Sequence, residues 1–298
     1  MSMPDAQCKT CGASSRFVFT KTILSKYDVA FFQCRDCGFM QTERPYWLQE
    51  TYGSSSDAFD TGLVARPLAF GDVTEQLIMR CFDPAGRFVD YGGAHGVFVR
   101  HMRDKGFDFY RYDKYAENIF ARYFDVSDLP RKERNFELLT SFEVFEHFED
   151  PIKELEELFS LSKNLLFSTF LQPRADASEL REWWYLAELH GQHISFYTEK
   201  ALRSLAERFG CYFHSNGCDL HLFTPRKLAG FTFPRPGPRK PPSLVRACSR
   251  LVHRLGRLRG RPAVPHPTTL IMKDAEWVKA QLLEGRSPGR VDESGGQG

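Results

Sequence analysis

The sequence predicts an α/β protein built on a mostly parallel sheet whose last strand is antiparallel, with a small metal-binding module in front of it. Three stretches carry that expectation. Residues 87–113 read as strand, glycine-rich turn, helix and a second strand ending at an acid. Residues 138–161 read as a buried strand, a loop, and a helix that opens on Asp150-Pro151. Cys8-Lys-Thr-Cys11-Gly12 and Cys34-Arg-Asp-Cys37-Gly38 are two knuckles of the kind that hold a metal ion.

The knuckles come first in the chain. Each offers two thiolates on a tight turn, and the glycine after it lets backbone N–H groups approach sulfur. Cys8, Cys11, Cys34 and Cys37 together complete a tetrahedral set with no open position, so the spacing predicts a structural zinc ion. Two disulfides are the other reading, and a chain without a signal peptide argues against them. The remaining cysteines, Cys81, Cys211, Cys218 and Cys248, are scattered. Residues 17–19 and 29–32 are expected to pair as a hairpin between the knuckles. Residues 41–52, with Tyr46, Trp47 and Tyr52, are expected to pack this module on the body, Trp47 as core and the tyrosines beside the site.

In the body, Phe88, Val89 and Tyr91 surround Asp90 and lead into Gly92-Gly93-Ala94-His95-Gly96. A helix over 97–105 follows, Gly106 stops it, and a strand over 107–112 runs to Asp113. This is the plan of a nucleoside-cofactor crevice. A dinucleotide turn needs glycines in a G-x-G-x-x-G register, and that register fails here from either Gly92 or Gly93. Positions 92, 94 and 96 instead read Gly, Ala, Gly, with an acid two residues before the first.

That arrangement resembles motif I of class I S-adenosylmethionine (SAM)-dependent methyltransferases, and the resemblance implies a Rossmann-like SAM methyltransferase sheet. SAM has no phosphate; its amino acid end carries an ammonium group and its sulfonium is positive. Asp90 suits that end, small residues at Gly92, Gly93 and Gly96 let the backbone approach, with Tyr91 beside them, and Asp113 can accept both ribose hydroxyls. The stretch Phe142-Glu-Val-Phe-Glu-His-Phe-Glu-Asp-Pro151 resembles the fourth strand and loop of the same family. Its Phe142, Glu143 and His147 either line the cofactor pocket or hold the loop together. Asp125 falls where a third strand would end near the adenine.

Further on, a strand over 164–170, a helix from Thr198 to Phe209 and two closing strands, one antiparallel, complete the sheet. Between them lies Trp183-Trp-Tyr185 and then His190-Gly191-Gln192-His193. This stretch resembles the zinc-containing sugar C-methyltransferases and related glycan and natural-product enzymes, whose Tyr-x-Glu-His segment supplies catalytic groups. The histidine at 193 matches, while the tyrosine and glutamate do not. His193 is the first candidate general base and His190 the second. The three aromatics either stack on a sugar or planar acceptor or form a lid or core.

Charge divides the chain. Residues 1–60 carry 6 basic and 7 acidic side chains, residues 61–229 carry 21 and 26, and residues 230–298 carry 13 and 5. An acidic body argues against RNA or DNA as substrate. The expected organisation is a zinc-ribbon module and connector over 1–60, a SAM-dependent methyltransferase domain over 61–229, and a basic extension over 230–298 with a disordered end. Residues 243–261 pattern as a basic amphipathic helix, which either docks on the acidic body or lies on anionic lipid. Residues 268–283 are expected to return to the body as a short strand and a helix. With no signal peptide and no apolar run of spanning length, the chain is read as cytoplasmic. The expected activity is methyl transfer to a small-molecule or sugar acceptor. Two competing readings are an RNA methyltransferase that grips its substrate with the zinc module, and a non-catalytic SAM-fold binding protein. The acceptor atom and oligomeric state are not legible.

Overall fold

A computed structural model describes residues 4–51, 62–228, 230–233 and 266–284. The larger sheet has six strands: β5 (Arg87–Tyr91), β6 (Asp108–Tyr112), β7 (Leu138–Ser141), β8 (Leu165–Ser168), β10 (Tyr212–Ser215) and β11 (Leu220–Thr224). Their order is β10-β11-β8-β7-β5-β6, parallel except for β11, which runs antiparallel between β8 and β10. This is the mixed sheet the sequence predicts. Every residue of β7, β8 and β11 is buried, as strands covered on both faces require.

Helices cover both faces. On one, α2 (Ala65–Cys81) and α3 (Val97–Asp104) bring Leu77, Ile78, Phe98 and Met102 against Phe88, Phe109, Leu138 and Leu166. On the other, α4 (Pro151–Leu161) and α6 (Glu199–Arg208) bring Leu155, Leu158, Leu202 and Leu205 against Val89, Leu139, Phe145 and Phe167. The caps are those the sequence marks. Asp150 accepts from the Lys153 N–H with Pro151 in the first turn, and Thr198 accepts from the Ala201 N–H at 3.0 Å.

The expected third strand is not a strand. Arg111 and Asp125 form a single parallel bridge, and the chain turns at once into a 3₁₀ turn over Val126–Asp128, closed by a reciprocal Asp125–Asp128 capping box.

The N-terminal sheet contains β1 (Ala6–Gln7), β2 (Ser14–Ile23), β3 (Tyr27–Cys34) and β4 (Met40–Thr42), all antiparallel. The expected hairpin is present as β2 and β3. A fifth strand, β9 (Ser195–Phe196), comes from the far side of the chain and pairs with β4, Met40 opposite Phe196. The division at residue 60 therefore does not separate two packing units. Cys8, Cys34, Cys37 and Phe39 share one core with Tyr197, Ala201 and Leu202, and the Thr198 hydroxyl donates to the Cys37 carbonyl at 2.5 Å. Trp47 is core as expected, its Nε1 donating to the Gly191 carbonyl at 2.8 Å. Tyr46 is exposed, and Tyr52 lies outside the described residues.

Two short helices, α1 (Leu48–Thr51) and α5 (Ala177–Arg181), complete the frame before the C-terminal α7 (Ile271–Leu283). The return expected over 268–283 occurs as helix alone; residues 266–270 are irregular rather than a strand. Trp277 lies against Phe124, with ring centroids 5.5 Å apart. The amphipathic stretch 243–261 lies outside the described residues. No described helix is long and apolar enough to cross a membrane.

Candidate active site

Strand β5 ends in a turn that only small residues permit. Gly92 and Gly96 have φ of 72° and 86°, the left-handed region that favours glycine, and Ala94 joins them at 43°. The Gly92 and Gly93 N–H groups both donate to the Tyr112 carbonyl, at 2.8 and 3.2 Å, which ties the turn to the end of β6. A Cβ on Gly92 would run into Val144 of the opposite loop.

Two cavities open on either side of this turn. Arg66, Phe70, Asp90, Phe98 and Phe142 line the first; Tyr91, Tyr112, Asp113, Tyr115, Val144 and His147 line the second. Gly92, Ala94 and Glu143 line both, so the cavities meet over the turn. Glu143 is itself left-handed at 56° and is held by Ser168. Its N–H donates to the Ser168 hydroxyl at 2.7 Å, and that hydroxyl donates to the Glu143 carboxylate at 2.6 Å. A non-glycine residue fixed in this region is the kind of strain that surrounding structure must impose.

The acids differ in environment. Asp90 is buried beneath the turn, and Thr140 Oγ1 donates to it at 2.6 Å. Burial outweighs that bond and pushes its carboxyl up to about 7. Asp113 receives the Tyr115 and Ala116 N–H groups on Oδ1, at 2.8 and 2.7 Å, and the Ala94 N–H on Oδ2 at 2.8 Å. Oδ1 is saturated, so the expected grip of both oxygens on a ribose narrows to Oδ2. Asp125 lines neither cavity. Its carboxylate takes Arg111 Nε at 2.7 Å and Asn118 Nδ2 at 2.8 Å, while Arg111 also donates to the Ala94 and Ala116 carbonyls. Asp125 thus holds the turn from behind rather than reaching an adenine. Phe142 stacks on Phe70, centroids 4.3 Å apart. The Tyr91 hydroxyl points to Glu154 at 3.0 Å, and burial with the Glu154 and Glu157 charges holds its phenol far above the usual value.

A second cluster adjoins the cleft. The segment before β9 is clamped to the 3₁₀ turn Phe145–His147: the Ile194 N–H donates to the Glu146 carbonyl at 2.8 Å, and the Tyr197 hydroxyl to the Phe145 carbonyl at 3.0 Å. This brings His193 to Glu146 and His147. His193 Nδ1 lies 2.7 Å from the Tyr185 carbonyl, and Nε2 lies 4.0 Å from Glu146 Oε1. The His147 and His193 ring centroids are 5.3 Å apart. Glu146 is fully buried, and neither carboxylate oxygen has a hydrogen-bond partner among the described residues. Burial, then the Glu143 charge, raises its carboxyl to about 8. Burial lowers the imidazoles to about 3 at His147 and about 4 at His193.

Glu146 stands in the Phe142–Pro151 stretch with no role legible from the sequence. Its signal is the acid-histidine pair in the loop after β7, but its burial depends on the segment around His193 and Ile194 and is not local. His190 does not join the cluster of Glu146, His147 and His193; it lines a separate groove with Lys21, Trp183 and Trp184. Of the aromatics expected to stack on an acceptor, Tyr185 is buried core and Trp184 is 68% exposed at that groove.

The four N-terminal cysteines come together as the knuckles predict. Cys8 and Cys37 sulfurs are 3.7 Å apart, and Cys11 lies 3.5 Å from both Cys34 and Cys37. Thiolates about 2.3 Å from a tetrahedral zinc stand about 3.8 Å apart, so the residues fit the ion. The Asp36 and Cys37 N–H groups both point at Cys34 Sγ, 3.4 Å away.

No curated protein matches the chain. Solved structures similar to it include mitomycin 7-O-methyltransferase, 16% identical with a TM-score of 0.42, the match covering 60% of each chain. An O-methyltransferase family protein from Burkholderia thailandensis is 11% identical with a TM-score of 0.43, covering 60% of this chain and 62% of that one. Magnesium protoporphyrin IX methyltransferase from Synechocystis PCC 6803, solved with S-adenosylhomocysteine, is 14% identical with a TM-score of 0.39, covering 59% of this chain and 92% of that one. The chain thus spans less than two thirds of the first two. A family model described as a methyltransferase domain matches residues 66–216, the stretch that carries the glycine turn, both cavities and the Glu146 cluster, and the chain belongs to that family.

Proposed function

We propose that the protein transfers a methyl group from SAM to a small-molecule or sugar acceptor. The observation that carries this reading is the pair of cavities meeting over Gly92 and Ala94, with Asp90 on one and Asp113 on the other, at the ends of adjacent parallel strands. That asymmetry suits a cofactor with a cationic amino acid end and a neutral ribose. When bound, SAM supplies a methyl group on a sulfonium, open to in-line attack.

The residues do the rest by placement. Asp90, buried with the Thr140 hydroxyl as its hydrogen-bond donor, ionises against an ammonium group and thereby gains a charged partner. Asp113 Oδ2 accepts a ribose hydroxyl. Phe70 and Phe142 give the first cavity an apolar wall. The acceptor enters on the His147 side. His193, expected as the base, is neutral at physiological pH, and with its proton affinity lowered by burial it acts with Glu146 and His147 rather than alone. The acidic balance of residues 61–229 favours a small acceptor over a polyanion. The cysteine cluster holds zinc as a structural ion.

Calorimetric titration of S-adenosylhomocysteine into the full chain, beside Asp113→Ala, tests the reading. Micromolar binding that weakens at least tenfold in the variant is expected. A folded, zinc-loaded wild type that binds none overturns it.

A further inference from the structure

We propose that Glu146, His147 and His193 form a second metal site, distinct from the four cysteines, that takes a divalent transition-metal ion beside the methyl-transfer cleft. One ligand atom from each of the three lies within 4.8 Å of the others. Donors bound at about 2.1 Å stand roughly 3–3.5 Å apart around an ion, so closing the 4.0 Å between His193 Nε2 and Glu146 Oε1 takes a sub-ångström side-chain movement.

The independent sign is Glu146. A carboxyl group is almost never left in the interior without a partner, because its desolvation is then uncompensated. Here both oxygens are buried and neither makes a hydrogen bond of good geometry among the described residues; the Thr169 and Tyr185 hydroxyls approach the carboxylate and favour its charged form, but they lie 3.3 Å from each other and do not offset its burial. A bound cation supplies the missing partner. His193 is oriented for it. With Nδ1–H donating to the Tyr185 carbonyl at 2.7 Å, the free lone pair sits on Nε2, the atom facing Glu146. A ligating histidine is ordinarily held in this way, with one ring nitrogen on a carbonyl and the other on the metal.

The donor set selects the ion. Two imidazoles and one carboxylate suit zinc, manganese or iron(II) and are poor for calcium or magnesium. Three protein ligands leave at least one position open, the mark of a catalytic rather than a structural centre. His147 also lines the second cavity, beside Gly92 and Asp113, so an acceptor there can reach the open position. Resting on the methyltransferase reading, this names the substrate class: an acceptor with a hydroxyl, held and acidified by the ion. The hydroxyl loses its proton to solvent. Its oxygen forms the new C–O bond as the C–S bond breaks, and that electron pair goes to sulfur as the neutral thioether.

The test is a titration of Mn²⁺ into the zinc-loaded full chain, followed by electron paramagnetic resonance. Thiolate sites discriminate against manganese, so the cysteine cluster stays silent. One tight equivalent is expected in the wild type, weakened at least tenfold in Glu146→Gln and in His193→Gln, with circular dichroism unchanged. A wild type that takes up no Mn²⁺, Zn²⁺ or Fe²⁺ beyond the cysteine-bound ion overturns the site, as does binding that both variants retain. S-adenosylhomocysteine binding measured on the same samples separates the two proposals. Metal bound without it sinks the methyltransferase reading, and the reverse sinks the site alone.

Discussion

Arg103 on α3 and Asp274 on α7 form a buried ion pair with two hydrogen bonds, Nε to Oδ2 and Nη2 to Oδ1, each 2.8 Å. Arg100 adds a third contact to the same carboxylate at 3.0 Å. The pair fastens a C-terminal helix to the helix that starts at the glycine turn. Removing Asp274 leaves Arg103 buried with only Asp108 and the Phe109 carbonyl. Breaking one side of such a pair costs about 3 kcal/mol or more. Asp274→Ala is therefore expected to lower the melting temperature by roughly 6–12 °C, at about 2–4 °C per kcal/mol for a domain of this size. A shift under about 2 °C in a thermal melt would show that α7 contributes nothing to the fold.

Asp90 makes stability depend on pH in an unusual sense. Its folded carboxyl sits near 7 against 3.8 when unperturbed, so between those values the unfolded chain is ionised while the folded chain keeps its proton. At this site the unfolded state then binds fewer protons, so Asp90's own contribution to stability falls as pH rises from about 4 to about 7, against the rise that the buried His147 and His193 contribute. The full effect is at most about 4 kcal/mol. Asp90→Asn should remove this slope, gaining on the wild type at pH 8 and matching it near pH 4. Urea unfolding at both pH values checks it; a variant with the wild-type slope assigns the pH dependence elsewhere.

The Gly92–Val144 contact gives a paired test. Gly92→Ala places a Cβ against Val144 at a left-handed position, which is expected to cost about 1–3 kcal/mol and to close the bridge between the cavities. S-adenosylhomocysteine affinity should drop at least tenfold. Adding Val144→Ala relieves the clash but not the backbone strain, so affinity should recover in part. Calorimetry that shows equal affinity for the single and double variants would mean that the contact does not shape the cleft.

What was legible in the sequence was local. Gly92 and Gly96 announce a turn because no other residue adopts those angles freely. Asp150-Pro151 and Thr198 announce helix starts through their own hydrogen bonds, and the cysteine spacing brings four sulfurs together. What was not legible depends on distant partners. β9 is two residues long and has no period to detect, yet it joins the N-terminal sheet to the body. Asp125 looked available until Arg111 and Asn118 were folded onto it. Glu146 sits in a charged run, Glu-His-Phe-Glu-Asp, with no local sign of its burial; the segment 194–197, clamped to it by the Ile194 N–H, helps to cover it.

The shared core makes a last prediction about metal removal. Cys8, Cys34 and Cys37 are buried among residues that also line α6, and β4 draws its outer partner from β9. A zinc ion at these cysteines would therefore anchor one face of the large sheet rather than an appended module. Zinc–thiolate sites in small domains contribute about 10–16 kcal/mol to folding, far more than a typical domain has to spare. Stripping the ion with a chelator, or replacing Cys37 with Ser, is expected to move a single cooperative melt down by more than about 10 °C, with loss of S-adenosylhomocysteine binding at the lowered transition. An independent module would instead give two transitions, with cofactor binding surviving the first. Differential scanning calorimetry with and without S-adenosylhomocysteine separates these outcomes, because a ligand bound in the cleft raises only the transition that contains it.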